Sequence, residues 1–435
     1  MKRVKYIENA IYVLLCVVFP VITLSYSTYT QNIILFKEIF GSILLLFIFL
    51  LAIIYRFEKS EITTQNFLLK IPLFLLIIVI IISSIVSDFR FRAFYYGSHY
   101  FLIVVSIFLT VNFINTLPKF KVLLTFINIT TFLAGLYLVF QYLGYDFVDW
   151  GVPEPILAST FGCCCGTKLY FSIFLPIILI SFFYFKSKLI KLILSLTILL
   201  SLFPIFLYFD ESKVYMITIP LVILLLWFIL IKKIFFIKKR IILFSFLFIV
   251  LLISGMLYYN NIYKYYYLNQ MRKILWKGAI DSMKENGFFG RGLGTYQLIL
   301  PKYRSSDYHR RWLSHNSMHA YNELLETFSD LGFIGGSIYY LCFVLTIFNL
   351  LYIMKHSNSS KDYYISMFFV SSMIGYYTHS LNFVFSKWFY GVYYTWFLVG
   401  LSQLWATRFY FDKTKESILP NETEKIKIEP EFEVI

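Results

Sequence analysis

The sequence predicts an all-α, polytopic membrane protein with about twelve transmembrane helices and one large external loop carrying short helices. Three observations carry that prediction. Of 435 residues, 59% are hydrophobic, 21% aromatic and only 14% charged, with a mean hydropathy of +0.72, a balance that no soluble domain of this length has. Apolar runs of roughly 20 residues, the length that crosses a bilayer core, recur between short charged or turn-rich breaks. Between 259 and 331 the pattern lapses into a polar, basic, histidine-bearing block.

The expected spans fall near 9–26, 36–55, 67–86, 99–116, 121–143, 167–185, 190–208, 214–231, 241–258, 332–353, 362–381 and 388–407. They are too long and too continuously apolar for the alternating pattern of a membrane barrel. Short loops on one side carry Lys2, Arg3, Lys5, Arg56, Lys59, Lys119, Lys121, Lys186, Lys188, Lys191, Lys232, Lys233, Lys238, Lys239, Arg240, Lys355, Lys361, Arg408, Lys413 and Lys415. Short loops on the other side carry only Lys37, Arg90, Arg92, Lys213 and Lys387, so both termini are expected in the cytoplasm and the long block outside it. The first span lacks a small-residue cleavage site and reads as a retained helix. Four regions follow: an N-terminal bundle of about nine helices over 1–258, the external loop over 259–331, C-terminal helices over 332–407, and a disordered cytoplasmic tail over 408–435.

In the loop, basic residues outnumber acidic ones, which beside a bilayer suits an anionic, membrane-bound ligand such as a lipid phosphate or pyrophosphate. The net charge of +15 otherwise serves topology, and no nucleic acid partner is expected. Arg272, Trp276, Ala279, Ile280 and Met283 recur at helical spacing, placing Arg272 one turn from Trp276. Asn286-Gly287 and Gly290-Arg291-Gly292-Leu293-Gly294 then end that helix in a glycine-rich turn. Such a turn either reverses the chain closely against the membrane or presents N–H groups to a phosphate.

His315, His319, Asn322 and Glu326 stand at i, i+4, i+7 and i+11, which predicts one face of a helix. Two histidines at this spacing suit zinc, but HExxH is lacking and a third ligand is not evident, so no metal and no cofactor are expected. Solvated histidines, proton transfer and substrate contact remain as readings. Of the five cysteines, Cys16 and Cys342 lie in apolar runs. Cys163, Cys164 and Cys165 are contiguous, without a CxxC pair, and read as thiols partly buried at a helix start.

The block from Arg272 to Gly335 resembles the signature domain of the O-antigen ligase and polymerase superfamily, through Arg272 with Trp276, Gly290 to Gly294, and Asn322 followed by Gly332 and Gly335. Ser159-Thr160-Phe161-Gly162 with Leu175-Pro176 resembles another stretch of that family, and Glu211-Ser212-Lys213 stands where it has a short Ser-Arg element. The resemblance implies a multi-pass protein of the bacterial cytoplasmic (inner) membrane that moves a glycan from a polyprenyl (undecaprenyl) pyrophosphate carrier to an acceptor hydroxyl at its outer face. The acceptor would be lipid A core, a protein or another glycan, with membrane lipids around it. Three departures stand out. Tyr321 replaces the histidine that normally precedes the asparagine, Lys213 replaces an arginine, and Cys163 to Cys165 replace Asn-Pro-Asn. On this reading His319, Tyr321, Asn322 and Glu323 are the catalytic candidates, since the acceptor oxygen must lose a proton. Arg272, Lys213 and Arg291 are the pyrophosphate candidates, with Arg304, Arg310 and Arg311 behind them, because charge develops on the leaving group. Gly290, Gly292, Gly294, Gly332 and Gly335 form the structural motif. The alternatives are a polymerase of the same superfamily, and a non-catalytic binding partner or exporter of lipid-linked glycan.

Overall fold

The structure, a computed structural model, describes residues 2–26, 35–59, 67–148, 157–207, 262–303, 319–357, 359–381, 383–385 and 387–425. Among them the regular elements are all helical: α1 (Lys2–Leu24), α2 (Leu35–Lys59), α3 (Lys70–Val86), α4 (Arg90–Phe113), α5 (Leu117–Tyr142), a 3₁₀ turn at Ser159–Phe161, α6 (Cys164–Ser181), α7 (Lys188–Leu207), α8 (Ile262–Asn286), α9 (Tyr296–Tyr303), α10 (Glu323–His356), α11 (Ser360–Ser380) and α12 (Phe389–Lys425). Each expected span within these residues coincides with a helix, while those at 214–231 and 241–258 lie outside the described residues. By length and composition α1, α2, α4, α5 and α10 suffice to cross a membrane, and α3 and α6 are shorter apolar helices.

Local chemistry sets the boundaries. Pro118 sits in the first turn of α5, where its missing N–H costs no helical bond. At the start of α6 the Cys163 sulfur accepts from Gly166 N at 3.2 Å, so the contiguous cysteines supply a helix cap. Helical backbone of α12 runs past 408 to Lys425, with Pro420 inside it.

α12 threads the middle of the bundle, packed by α4, α10, α11, α6 and α2. Tyr390, Tyr393, Tyr394 and Trp396 are fully enclosed there, with Trp396 edge-on to Tyr339 at 5.2 Å between ring centroids. Around this aromatic spine, Ile39, Ile43, Phe47 and Leu50 of α2 and Ile71, Phe74 and Ile81 of α3 face outward, an apolar exterior that suits lipid.

α8 and α9 form a second, smaller layer over one end of the bundle. Leu275, Ala279, Tyr296, Leu300 and Ala320 make its core, and Tyr296 donates its hydroxyl to Leu275 O at 2.8 Å. Leu275 and Leu300 are fully buried, each stabilising the layer by about 1.5–3 kcal/mol. α10 joins the two layers. It is two helices end to end, broken at Gly332, whose φ is 69° and ψ −173°.

Candidate functional site

The break in α10 and the glycine-rich turn build each other. Leaving helical geometry at Gly332 frees the next N–H groups from their helical acceptors, and the turn supplies replacements. Phe333 N donates to Gly287 O at 2.8 Å and Ile334 N to Phe288 O at 3.1 Å, while Gly292 N donates back to Asp330 O at 2.8 Å. Gly290 and Gly332 both have positive φ, and a β-carbon on Gly332 would lie 2.4 Å from Gly290 N. The two backbones touch, so neither position has room for a side chain. Gly292 abuts Ser87 and Ala93, Gly294 abuts Tyr96, and Gly335 abuts Val79. The five motif glycines therefore serve close packing of chain on chain.

Asp330 fastens this clasp from inside. Its carboxylate accepts from Gly294 N at 2.7 Å and Tyr296 N at 3.1 Å, the second bond capping the start of α9. It also pairs with Lys387, in the turn before α12, and the Lys387 ammonium lies 3.8 Å from Glu326 Oε1. All three are at most 8% exposed. Burial alone would pull the Lys387 ammonium below its ordinary value, but the facing carboxylates of Asp330 and Glu326 raise it above.

The expected helix face from His315 to Glu326 does not form as such. Asn322 is the N-cap of α10, its side-chain oxygen accepting from Leu325 N at 3.1 Å, and Tyr321 before it turns the chain with φ 52°. A capping asparagine favours an extended backbone at its own position, so helical spacing cannot extend upstream of it. His319 and Glu326 still meet, because the turn folds the chain back over the first helical turns. Glu326 Oε1 lies 3.2 Å from His319 Nδ1, and Oε2 accepts from Ala320 N at 2.7 Å. His315 lies outside the described residues, as do Lys213, Arg304, Arg310 and Arg311.

Arg272 comes to the same place from α8. Its guanidinium lies over the Tyr321 ring at 5.9 Å from the centroid. Burial lowers its pKa below the ordinary arginine value, but a guanidinium stays a cation at neutral pH. Tyr321 stands edge-on to Phe383 at 6.0 Å, and the His319 ring lies 6.4 Å from the same Phe383. Tyr321 and His319 thus share Phe383 as a neighbour, with Arg272 over the Tyr321 ring and Cys165 of α6 within electrostatic reach of Arg272.

Two candidates face elsewhere. Glu323 is 1% exposed and points into the bundle, where Oε1 accepts from Tyr376 OH at 2.7 Å and Tyr339 OH at 3.2 Å, and Oε2 from Phe385 N at 3.4 Å. Arg291 bridges Asp88 at 2.6 Å and Glu285 at 3.3 Å, tying the glycine-rich turn to the α3–α4 corner and to the end of α8. Lys302 and Tyr303 also bind Glu285, and their hydrogen bonds hold its carboxyl below the ordinary carboxylate range.

Sequence reading missed Glu326, Asp330 and Lys387 as a unit. Lys387 is one of few cations on its side of the spans, which is the available signal, and Asp330 stands two residues before the breaking glycine. Among the described residues no group of three His, Cys, Asp or Glu side chains is gathered to hold a metal ion.

A search among curated proteins finds no match. Residues 196–340 match the family model Wzy_C, described as O-antigen ligase. The matched stretch contains Arg272, the glycine clasp, His319, Asn322 and Glu326, and over these residues the chain is similar to the O-antigen ligase family.

Proposed function

We propose that this protein moves an oligosaccharide or polysaccharide from a polyprenyl pyrophosphate carrier to an acceptor hydroxyl, in the manner of an O-antigen ligase and without a metal ion. One observation carries the reading: a half-buried arginine from α8 lies over the Tyr321 ring, and that ring and His319, both on the approach to α10, stand against Phe383. Glycosyl transfer from a diphosphate needs two things, a cation for the departing charge and a base for the incoming alcohol.

Arg272 meets the first need, its planar fork matching two phosphate oxygens. Lys213 is its partner in this reading, while Arg291, tied to Asp88 and Glu285, holds the glycine-rich turn in place. His319 meets the second need. Tyr321, as a phenol with a reference pKa near 10, serves better as the platform beneath Arg272 than as a base at neutral pH. Asn322 caps α10 and holds the backbone that presents both residues, and Glu323 fixes that first turn to the bundle. In this reading the chain crosses a bacterial cytoplasmic membrane about twelve times, with the site at the outer face and both termini inside, as the distribution of loop charges suggests.

The test uses full-length protein in lipid nanodiscs with a polyprenyl diphosphate glycan and an acceptor alcohol. Glycan transfer with release of the polyprenyl diphosphate is the expected result, and Arg272→Ala lowers the rate by about 10²–10³-fold, as loss of a charge-stabilising donor does. Arg272→Lys keeps the charge but recovers only part of the rate, because the fork is gone. Donor binding without turnover across varied acceptors would instead mark a non-catalytic binding partner. Growth of the product by whole repeat units would mark a polymerase.

A further inference from the structure

A histidine near an acceptor hydroxyl is not yet a base, because only an unprotonated ring nitrogen facing that hydroxyl can take its proton. What fixes the ring is therefore part of the chemistry. Glu326 contacts His319 at Nδ1, 3.2 Å away, and its second oxygen holds the neighbouring Ala320 N at 2.7 Å. Both carboxylate oxygens are thus spent on residues 319 and 320. Glu326 is 1% exposed and His319 15%, so the carboxylate is enclosed while the ring reaches the surface of the site. Behind Glu326 stands Lys387, which is also paired with Asp330.

Resting on the reading of His319 as base, we propose that Glu326 is its positioning residue: it accepts a hydrogen bond from Nδ1–H, which makes Nε2 the nitrogen that takes the proton of the acceptor alcohol, and is itself held by Lys387. The step balances. The acceptor O–H bond breaks and its proton goes to Nε2, the oxygen forms a bond to the anomeric carbon, and the carbon–oxygen bond to the diphosphate breaks with its electron pair leaving on the phosphate oxygen. The histidine later returns its proton to water.

Charge explains why this arrangement favours the forward step. Among the described residues, the groups near His319 include Glu326, with Lys387 and Asp330 behind it, and Arg272 across Tyr321. With a neutral imidazole, the two carboxylates and one ammonium of the buried cluster carry one net negative charge. Proton transfer to His319 makes the cluster neutral. A single buried ammonium between Asp330 and Glu326 also ties the catalytic turn to the glycine clasp, so the base is set only when the loop layer has docked.

Nitrogen-15 NMR of histidine-labelled full-length protein in nanodiscs tests the tautomer directly, with the His319 signals assigned by their loss in His319→Asn. Nδ1–H with an unprotonated Nε2 is expected in the resting protein, and the opposite tautomer would overturn the proposal without any need for a Glu326 variant to fold. Kinetics give the second arm. Glu326→Gln should lower kcat by about 10²-fold, while donor KM stays within about 3-fold. If His319→Asn abolishes transfer while Glu326→Gln leaves kcat and tautomer intact, the base stands and the positioning role falls. Should His319→Asn transfer glycan at the parental rate, the base reading itself is lost.

Discussion

The two segments of α10 differ more from each other than either does from other helices of the molecule. Residues 323–331 hold three acidic side chains, all buried, and the segment after Gly332 is a run of apolar and aromatic residues long enough to cross a bilayer. One segment is stabilised by donors brought to it from the turn at Ala320, the glycine turn and the α11–α12 turn, the other by aromatic packing against α11 and α12. A helix can afford such a change of environment only where its backbone is interrupted, since an unbroken ladder would carry the charged face straight into lipid. Gly332 supplies the interruption, and the turn at Gly287 to Gly292 satisfies the backbone groups it releases.

Breaking that junction should have the largest effect. Gly332→Ala forces a β-carbon into Gly290 N and Phe288 O at a backbone angle that disfavours side chains, and should cost about 2–6 kcal/mol of stability and abolish transfer. Thermal unfolding in detergent measures it, and an unchanged midpoint would mean the clasp is not under constraint. Next comes Lys387→Met, which leaves Asp330 and Glu326 buried without their ammonium and should cost about 3–5 kcal/mol. Adding Asp330→Asn should recover part of that loss, and strict additivity of the two changes would sink the shared-cation account.

Smaller effects sharpen the comparison at its edges. Asn322→Ala removes the cap of the acidic segment and should cost about 1 kcal/mol, with the apolar segment unaffected in hydrogen exchange. Smallest is the contribution of exposed Glu285. Its carboxyl is held below the unfolded-state value, so what it adds is present above that value and is lost as pH falls through the folded one. Hydrogen exchange of α9 should therefore quicken at acid pH, and Glu285→Gln should remove that dependence. An α9 response to acid that survives Glu285→Gln would point to Asp330 instead.

The site was legible in unequal parts. Arg272 and the glycines announced themselves by type and spacing, because a cation at the membrane face and small residues at a turn have few other uses. The clustering of His319 with Glu326 was also visible as a spacing, though for the wrong reason. Helical periodicity brought them together on paper, whereas a left-handed Tyr321 and a capping Asn322 do so in the fold. Spacing sets Glu326 beside His319, while the sequence reading makes Glu323 the catalytic candidate of the two acids in that first turn. Three residues of helical rotation send one to the tyrosines of the bundle and the other to the histidine.

What the sequence by itself determined is the class of the molecule and the positions of its helices. Hydrophobic runs must be satisfied by lipid or by each other whatever else the chain does, so their lengths and spacing are local information. The tertiary structure alone decided which ions share a site. Lys387 stands 57 residues from Asp330 along the chain, and only the return of α12 through the middle of the bundle brings the ammonium to the carboxylate. Buried charges need partners wherever those lie in sequence, and spacing along a chain does not record who is found.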